Sequence, residues 1–180
     1  MLKEKIYKNK LFDGMTIVEI DEFLESSIEK IQPQGEILFH QGDLGDSMYI
    51  LEEGELEIYL EDLNPEDLDP LETNQLAILS PGSFVGEVCM LHEQKRTASV
   101  KATKDSKLIK LEHHFFRRQI EAGNRAAFLI AFNIASTLSQ RLKEANNIIS
   151  TLLTKIDTKN EKSTVHEIAM LRQKLMSESF

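Results

Sequence analysis

The sequence predicts a mainly β fold with flanking helices: an antiparallel sandwich or barrel, a short helix before it and one long helix after it. Three observations carry this expectation. Short apolar runs are punctuated by Gly35, Gly42, Gly45, Gly54, Gly82 and Gly86, and no helix-length pattern lies between them to build parallel crossovers. After Leu111 the apolar spacing changes to alternating steps of three and four.

In chain order, Thr16-Ile17-Val18-Glu19 has capping-box spacing, and Ile20, Phe23, Leu24 and Ile28 follow at helical intervals, which predicts a helix from Thr16 to about Lys30. Strand runs follow at Ile37 to Phe39, Met48 to Leu51, Leu56 to Leu60, Leu76 to Leu79 and Thr97 to Ala102. The acidic, proline-containing stretch Glu61 to Asn74 is expected as an exposed loop. Phe115, Phe116 and Ile120 predict a short helix.

From Arg125 to Ile156 neither glycine nor proline interrupts the chain, and Phe128, Ala131, Ala135, Leu138, Leu142, Ala145, Ile149, Leu152 and Ile156 form one seam. A helix of those 32 residues is about 48 Å long, whereas a small domain is about 30 Å across, so part of the seam needs another partner. Self-association through a helical pair is the leading expectation, with packing back on its own domain as the alternative. Asp157 to Ser163 reads as a polar break, and Thr164 with Glu167, then Ile168, Leu171 and Leu175, as a last short helix. The expected organisation is therefore a β domain with its N-terminal helix over residues 1–120, a dimerisation helix over 125–156, and a polar linker with a short helix over 157–180.

With 41% apolar and 28% charged residues among 180, the chain has the composition of a folded, soluble protein. Its 21 Lys and Arg against 30 Asp and Glu give a formal charge of −9, which weighs against broad attraction to nucleic acid. A single cysteine excludes an intrachain disulfide framework and fits a reducing compartment. The opening MLKEKIYKNKLF lacks the apolar core of an export signal, and no run is long and apolar enough to span a bilayer, so a cytoplasmic protein is expected.

The chemistry concentrates in two pieces. Gly82-Ser83-Phe84-Val85-Gly86-Glu87-Val88-Cys89 sets two glycines and an acid between a strand and a short helical turn, where backbone N–H groups can converge on an anion. Arg96 follows 9 residues after Glu87, at the start of the apparent strand RTASVKA. A guanidinium fork suits phosphate oxygens, a carboxylate accepts from a hydroxyl, and together they suit a ring carrying both. From spacing alone, a plain Glu87–Arg96 salt bridge clamping two strands fits equally well.

The residues also carry a resemblance. Gly35-Glu36-Ile37-Leu38-Phe39-His40-Gln41-Gly42-Asp43, continued by Asp46, Met48-Tyr49-Ile50 and Gly54, together with Gly82 to Leu91 closed by Arg96-Thr97-Ala98-Ser99-Val100, is similar to the cyclic-nucleotide-binding domain family. That family is the jelly roll, or double-stranded β-helix, shared by kinase regulatory subunits, cyclic-nucleotide-gated channels and catabolite activators. The resemblance covers roughly residues 10–155. It implies that Glu87 binds the ribose 2′-hydroxyl, that Arg96 binds the cyclic phosphate, and that Gly86, Val88, Cys89, Thr97 and Ala98 line phosphate and ribose. Asn146 on the long helix is the implied base contact. Thr97 does not separate the purines, since its hydroxyl favours guanine in some relatives while bacterial activators with a hydroxyl there prefer adenine. The implied ligand is cAMP, with cGMP second.

Two departures stand out. Cys89 occupies a position where the family usually has a small residue such as alanine, and Asn124 one where many relatives have proline, tolerable because Asn also caps helices. Elsewhere, His40, His92, His113, His114 and His166 are scattered, with no metal-ligand spacing to Cys89. Ser83, Ser99 and Ser106 lack a base and an orienting acid. No enzyme, resident metal or cofactor is expected. Only about 24 residues follow Ile156, too few for the DNA-binding unit of activators. The sequence thus points to a homodimeric cyclic-nucleotide receptor that signals through its helix pair or tail to a protein effector; the alternative is a nucleotide-independent interaction module.

Overall fold

Thr16 starts the first helix, α1 (Ile17–Leu24), by the reciprocal pairing its spacing predicts: Glu19 N donates to Thr16 Oγ1 at 3.2 Å and Thr16 N to Glu19 Oε2 at 2.8 Å. The helix ends at Leu24 rather than near Lys30, because Ser27 turns back and its N–H and Oγ–H both donate to Leu24 O. Ile28, which fits the helical spacing, instead opens a strand, β1 (Ile28–Gln32). The structure, a computed structural model, describes residues 6–61, 75–92 and 94–157, with side chains as far as 151. The expected acidic loop beyond Glu61, the polar break after Asp157 and the last short helix lie outside the described residues.

Six strands form one antiparallel, open sheet: β1, β2 (Ile37–Phe39), β3 (Ser47–Tyr59), β4 (Gln75–Leu79), β5 (Phe84–Val85) and β6 (Ser99–Glu112). The main path runs β1-β6-β3-β4, with β2 on β6 and β5 on β3. The run Met48 to Leu51 and all but the last residue of the run Leu56 to Leu60 belong to the single strand β3, whose register shifts repeatedly between Leu51 and Leu56. Gly54 lies inside that strand at φ +93°, and a Cβ there would come within 2.2 Å of Ser106 Oγ and 2.4 Å of Asp105 O. It is a close-approach glycine and not the turn its sequence context suggests.

β6 extends ten residues past Ala102, to Glu112. Lys101, Lys104, Lys107 and Lys110 recur every third position there, which hides the period of two. The amines pair with Glu57 at 2.9 Å, Glu55 at 2.9 Å, Glu52 at 2.9 Å with Glu29 at 3.2 Å, and Glu112 at 3.1 Å. Beneath them Tyr49, Leu51, Leu56, Val85, Val100, Ala102 and Leu108 form a buried cluster, flanked by Leu38, Phe39, Ile58 and Leu79. This sheet core holds β5 rigidly against β3 through the pairs Tyr49–Val85 and Ile50–Phe84.

Three further helices follow: α2 (Val88–Leu91), α3 (His113–Glu121) and α4 (Arg125–Asp157). Phe23 of α1 meets Phe115 and Phe116 of α3 edge-on at 5.5 and 6.4 Å. Asn124 caps α4, its Oδ1 accepting from Ala126 N at 2.8 Å, as the substitution for proline requires. Ala126, Ala127, Ile130 and Ile134 are buried, whereas Phe128, Phe132, Leu142 and Ile148 are exposed. The chain divides into two compact units, Met1–Ile134 and Ala135–Phe180. Among the described residues, no helix is long and apolar enough to cross a membrane.

Candidate functional site

The site grows from the end of β5. Gly82 N donates to Leu51 O at 2.8 Å and Leu51 N to Ser83 O at 2.9 Å, so the glycine turn is tied to β3 before Phe84 and Val85 bury. Gly86 then reverses the chain at φ +79°, and a Cβ there would lie 2.5 Å from Arg96 Nη1 and 3.1 Å from Ser47 O. Glu87 precedes α2 at its N-cap position with helical backbone angles and is only 3% exposed, and Cys89 and Met90 are buried within α2.

Arg96 returns to the same place. Segment 94–96 pairs with the loop after β2: Gly45 N donates to Gln94 O at 3.2 Å, Arg96 N to Asp43 O at 2.8 Å, and Gly42 N to Arg96 O at 2.9 Å. Arg96 therefore precedes β6 instead of beginning it. Thr97 and Ala98 form a bend, Thr97 exposed and Ala98 half-buried, and the strand starts at Ser99.

Arg96 is 5% exposed. Nη1 donates to Gly86 O at 3.4 Å and to Cys89 Sγ at 3.5 Å, and Nη2 donates to Ser47 Oγ at 3.5 Å. Phe39 lies beneath it, ring centroid 4.1 Å from Cζ. The guanidinium hydrogen bonds are all long, and Nε has no partner among the described residues. None of the ion pairs among the described residues joins Arg96 to Glu87, so the strand-clamping salt bridge is not the arrangement found. A buried cation this sparingly paired is costly by itself and becomes favourable once an oxyanion meets its fork.

Three contacts of Arg96 went unmarked in the sequence: Phe39, Gly45 and Ser47. Gly45 explains how Cys89 is accommodated. A Cβ at residue 45 would sit 1.9 Å from Cys89 Sγ, 2.9 Å from Cys89 Cβ and 3.3 Å from Arg96 Cζ, so the thiol occupies the room the glycine leaves. Ser47 is fully buried, donates to Asp46 Oδ1 at 2.8 Å and lies 3.2 Å from Tyr49 OH. That hydrogen bond, with the fields of Lys110 and Arg96, holds the Asp46 carboxyl below the usual carboxylate range. A glycine two residues before a serine was the available signal, but glycine serves turns far more often than tight packing.

Gly86, Glu87, Val88, Cys89, Arg96, Thr97 and Ala98 thus lie along one turn-and-return of the first compact unit. Asn146 is half-buried on α4 in the second unit. Among the described residues, no group of three or more His, Cys, Asp or Glu could hold a metal ion. What the arrangement offers is a buried donor fork lying against the glycine-bent backbone at Gly86, with the buried acid Glu87 next to that glycine in the chain.

Comparison with known proteins gives consistent results. The profile of a family described as "Cyclic nucleotide-binding domain" matches residues 30–122. The Cyclic AMP receptor protein of Thermus thermophilus is 35% identical over 136 residues, 76% of this chain and 58% of that protein. The cAMP-dependent protein kinase regulatory subunit of Schizosaccharomyces pombe is 32% identical over 123 residues, 65% of this chain and 30% of that one. Among solved structures, the Thermus thermophilus Catabolite Activator Protein superposes with a TM-score of 0.68 at 32% identity, covering 79% of this chain and 62% of the other. The chain spans less than two thirds of the length of each of these relatives.

Proposed function

Because the chain belongs to the cyclic nucleotide-binding domain family, we propose that it is a receptor for a cyclic purine nucleotide, cAMP before cGMP, and not a catalyst acting on one. The observation that carries this reading is Arg96: 95% buried, long in all its side-chain hydrogen bonds, and one turn of chain from a buried Glu87. Arg96 takes the cyclic phosphate through its two-nitrogen fork. Glu87 accepts the ribose 2′-hydroxyl, and Gly86, Val88, Cys89, Thr97 and Ala98 supply backbone around phosphate and sugar. The preference for cAMP is supported by relatives whose names specify that nucleotide.

Signal output runs through the long helix. Phe128, Phe132 and Leu142 are exposed within one chain at positions that share one side of the helix, which suits pairing of residues 125–156 with a second copy. In that pair Asn146 contacts the base, and ligand binding shifts the helices or the tail beyond residue 157 toward a protein effector. Isothermal titration of nucleotide-free protein with cAMP and with cGMP tests the reading. Saturable binding, tighter for cAMP, is expected; no saturable binding of either nucleotide, after removal of any copurified ligand, overturns it.

A further inference from the structure

The bend Thr97–Ala98 is fastened at both ends by the segment after β2. At one end the fastening is backbone only, Gly42 N to Arg96 O and Arg96 N to Asp43 O. At the other it depends on side chains. Gln41 N donates to Ser99 Oγ at 2.7 Å, and Ser99, fully buried at the first position of β6, donates its own proton to Glu61 Oε1 at 2.6 Å. Glu61 closes the ring, its N–H donating to Gln41 Oε1 at 3.0 Å while His40 Nδ1 reaches Glu61 Oε1 at 2.8 Å. Tyr59 OH lies 3.5 Å from the same oxygen. Ser99 and His40 together hold the Glu61 carboxyl below its usual range, so it is charged at neutral pH and the bonds its carboxylate accepts are charge-assisted.

We propose that Glu61 is a positioning residue of the nucleotide site, fixing Ser99 and with it the two backbone N–H groups of Thr97 and Ala98 that meet the phosphate. The proposal rests on the receptor reading and adds to it the residue that sets the geometry of the bend. Glu61 itself touches no ligand. Its route is a hydroxyl with one proton: Ser99 can accept from Gln41 and donate in one direction only, and without the carboxylate a buried hydroxyl must find another acceptor, releasing the start of β6. The pinned bend is preorganised, so ordering it is not charged against binding.

The test uses the full chain with Glu61→Ala and Glu61→Gln. The Glu61 side chain is 35% exposed, so neither change opens the sheet core. Residue-resolved amide exchange in the ligand-free protein reads the brace, and cAMP titration reads its consequence. Glu61→Ala is expected to speed exchange at Thr97, Ala98 and Ser99 and to weaken cAMP binding about tenfold, equivalent to about 1.4 kcal/mol. Glu61→Gln keeps an acceptor oxygen and recovers most of both. Unchanged exchange and affinity in Glu61→Ala overturn the proposal. Failure of the wild-type chain to take up cAMP or cGMP overturns the receptor reading instead, and exchange then decides the brace alone.

Discussion

Replacing Gly45 with alanine is the sharpest probe of how the pocket is packed. Gly45 is not among the glycines with positive φ, so alanine strains no backbone angle and the effect is steric. The new methyl would lie 1.9 Å from Cys89 Sγ and 3.3 Å from Arg96 Cζ, so the thiol must leave its seat and push on the guanidinium. Overpacking of this kind costs about 2 kcal/mol of folding stability, and the displaced fork weakens cAMP binding by about tenfold or more. Cys89→Ala alone removes one buried sulfur and costs about 1 kcal/mol. In the double variant the shortest clash disappears, leaving the two β-carbons 2.9 Å apart. The pair should therefore be less damaged than the sum of its parts by about 1 to 2 kcal/mol. Urea unfolding of the four proteins, read with cAMP titration, measures this coupling. Costs that add to within about 0.5 kcal/mol would refute the steric account.

Arg96→Ala should weaken cAMP binding by about a hundredfold, because a buried phosphate loses its charged fork. Thr97→Ala should cost only a few-fold, since that side chain is exposed; comparable small losses in both titrations would contradict the assigned roles. Asp46 titrates below its usual range in the folded protein, so its contribution is complete above the ordinary carboxylate pKa and is lost as pH falls through the lowered value. The advantage of wild type over Asp46→Asn in urea midpoint should be full at about pH 7 and shrink below about pH 4; a constant difference across that range would count against it. Leu142→Glu alters a side chain that is 63% exposed in the single chain. It should leave the unfolding midpoint nearly unchanged while shifting sedimentation equilibrium from dimer to monomer, and an unaltered dimer would move the interface elsewhere.

Legibility in the sequence followed how local each signal is. The capping box at Thr16 and Glu19 and the uninterrupted run from Arg125 are patterns within one element: the first starts its helix where the spacing places it, and the second forms one helix with nearly the expected bounds. The glycine-rich turn was also readable, because its φ reversal and the acid beside it lie within eight residues. Boundaries failed where two periods share residues: Ile28 satisfies a helical face and a strand, and the serine that decides between them acts through a bond back to Leu24. The lysines of β6 recur every third residue across the stretch where the β3–β6 register shifts repeatedly, and that repeat masks the strand. Least visible were Phe39, Gly45 and Ser47, whose roles exist only once the chain segment after β2 lies against residues 94–96. The Glu61 brace is of the same kind, spanning 38 residues from Glu61 to Ser99.

The long hydrogen bonds of Arg96 have a practical corollary. A guanidinium so placed discriminates negative charge and a pair of suitably spaced oxygens before it discriminates chemical identity, and inorganic phosphate or sulfate supplies both. Apparent nucleotide affinity should therefore depend on the buffer chosen, being lower in phosphate than in a zwitterionic medium at equal ionic strength. The competition should vanish when the fork is removed, because what these small oxyanions seek is the same loosely paired edge.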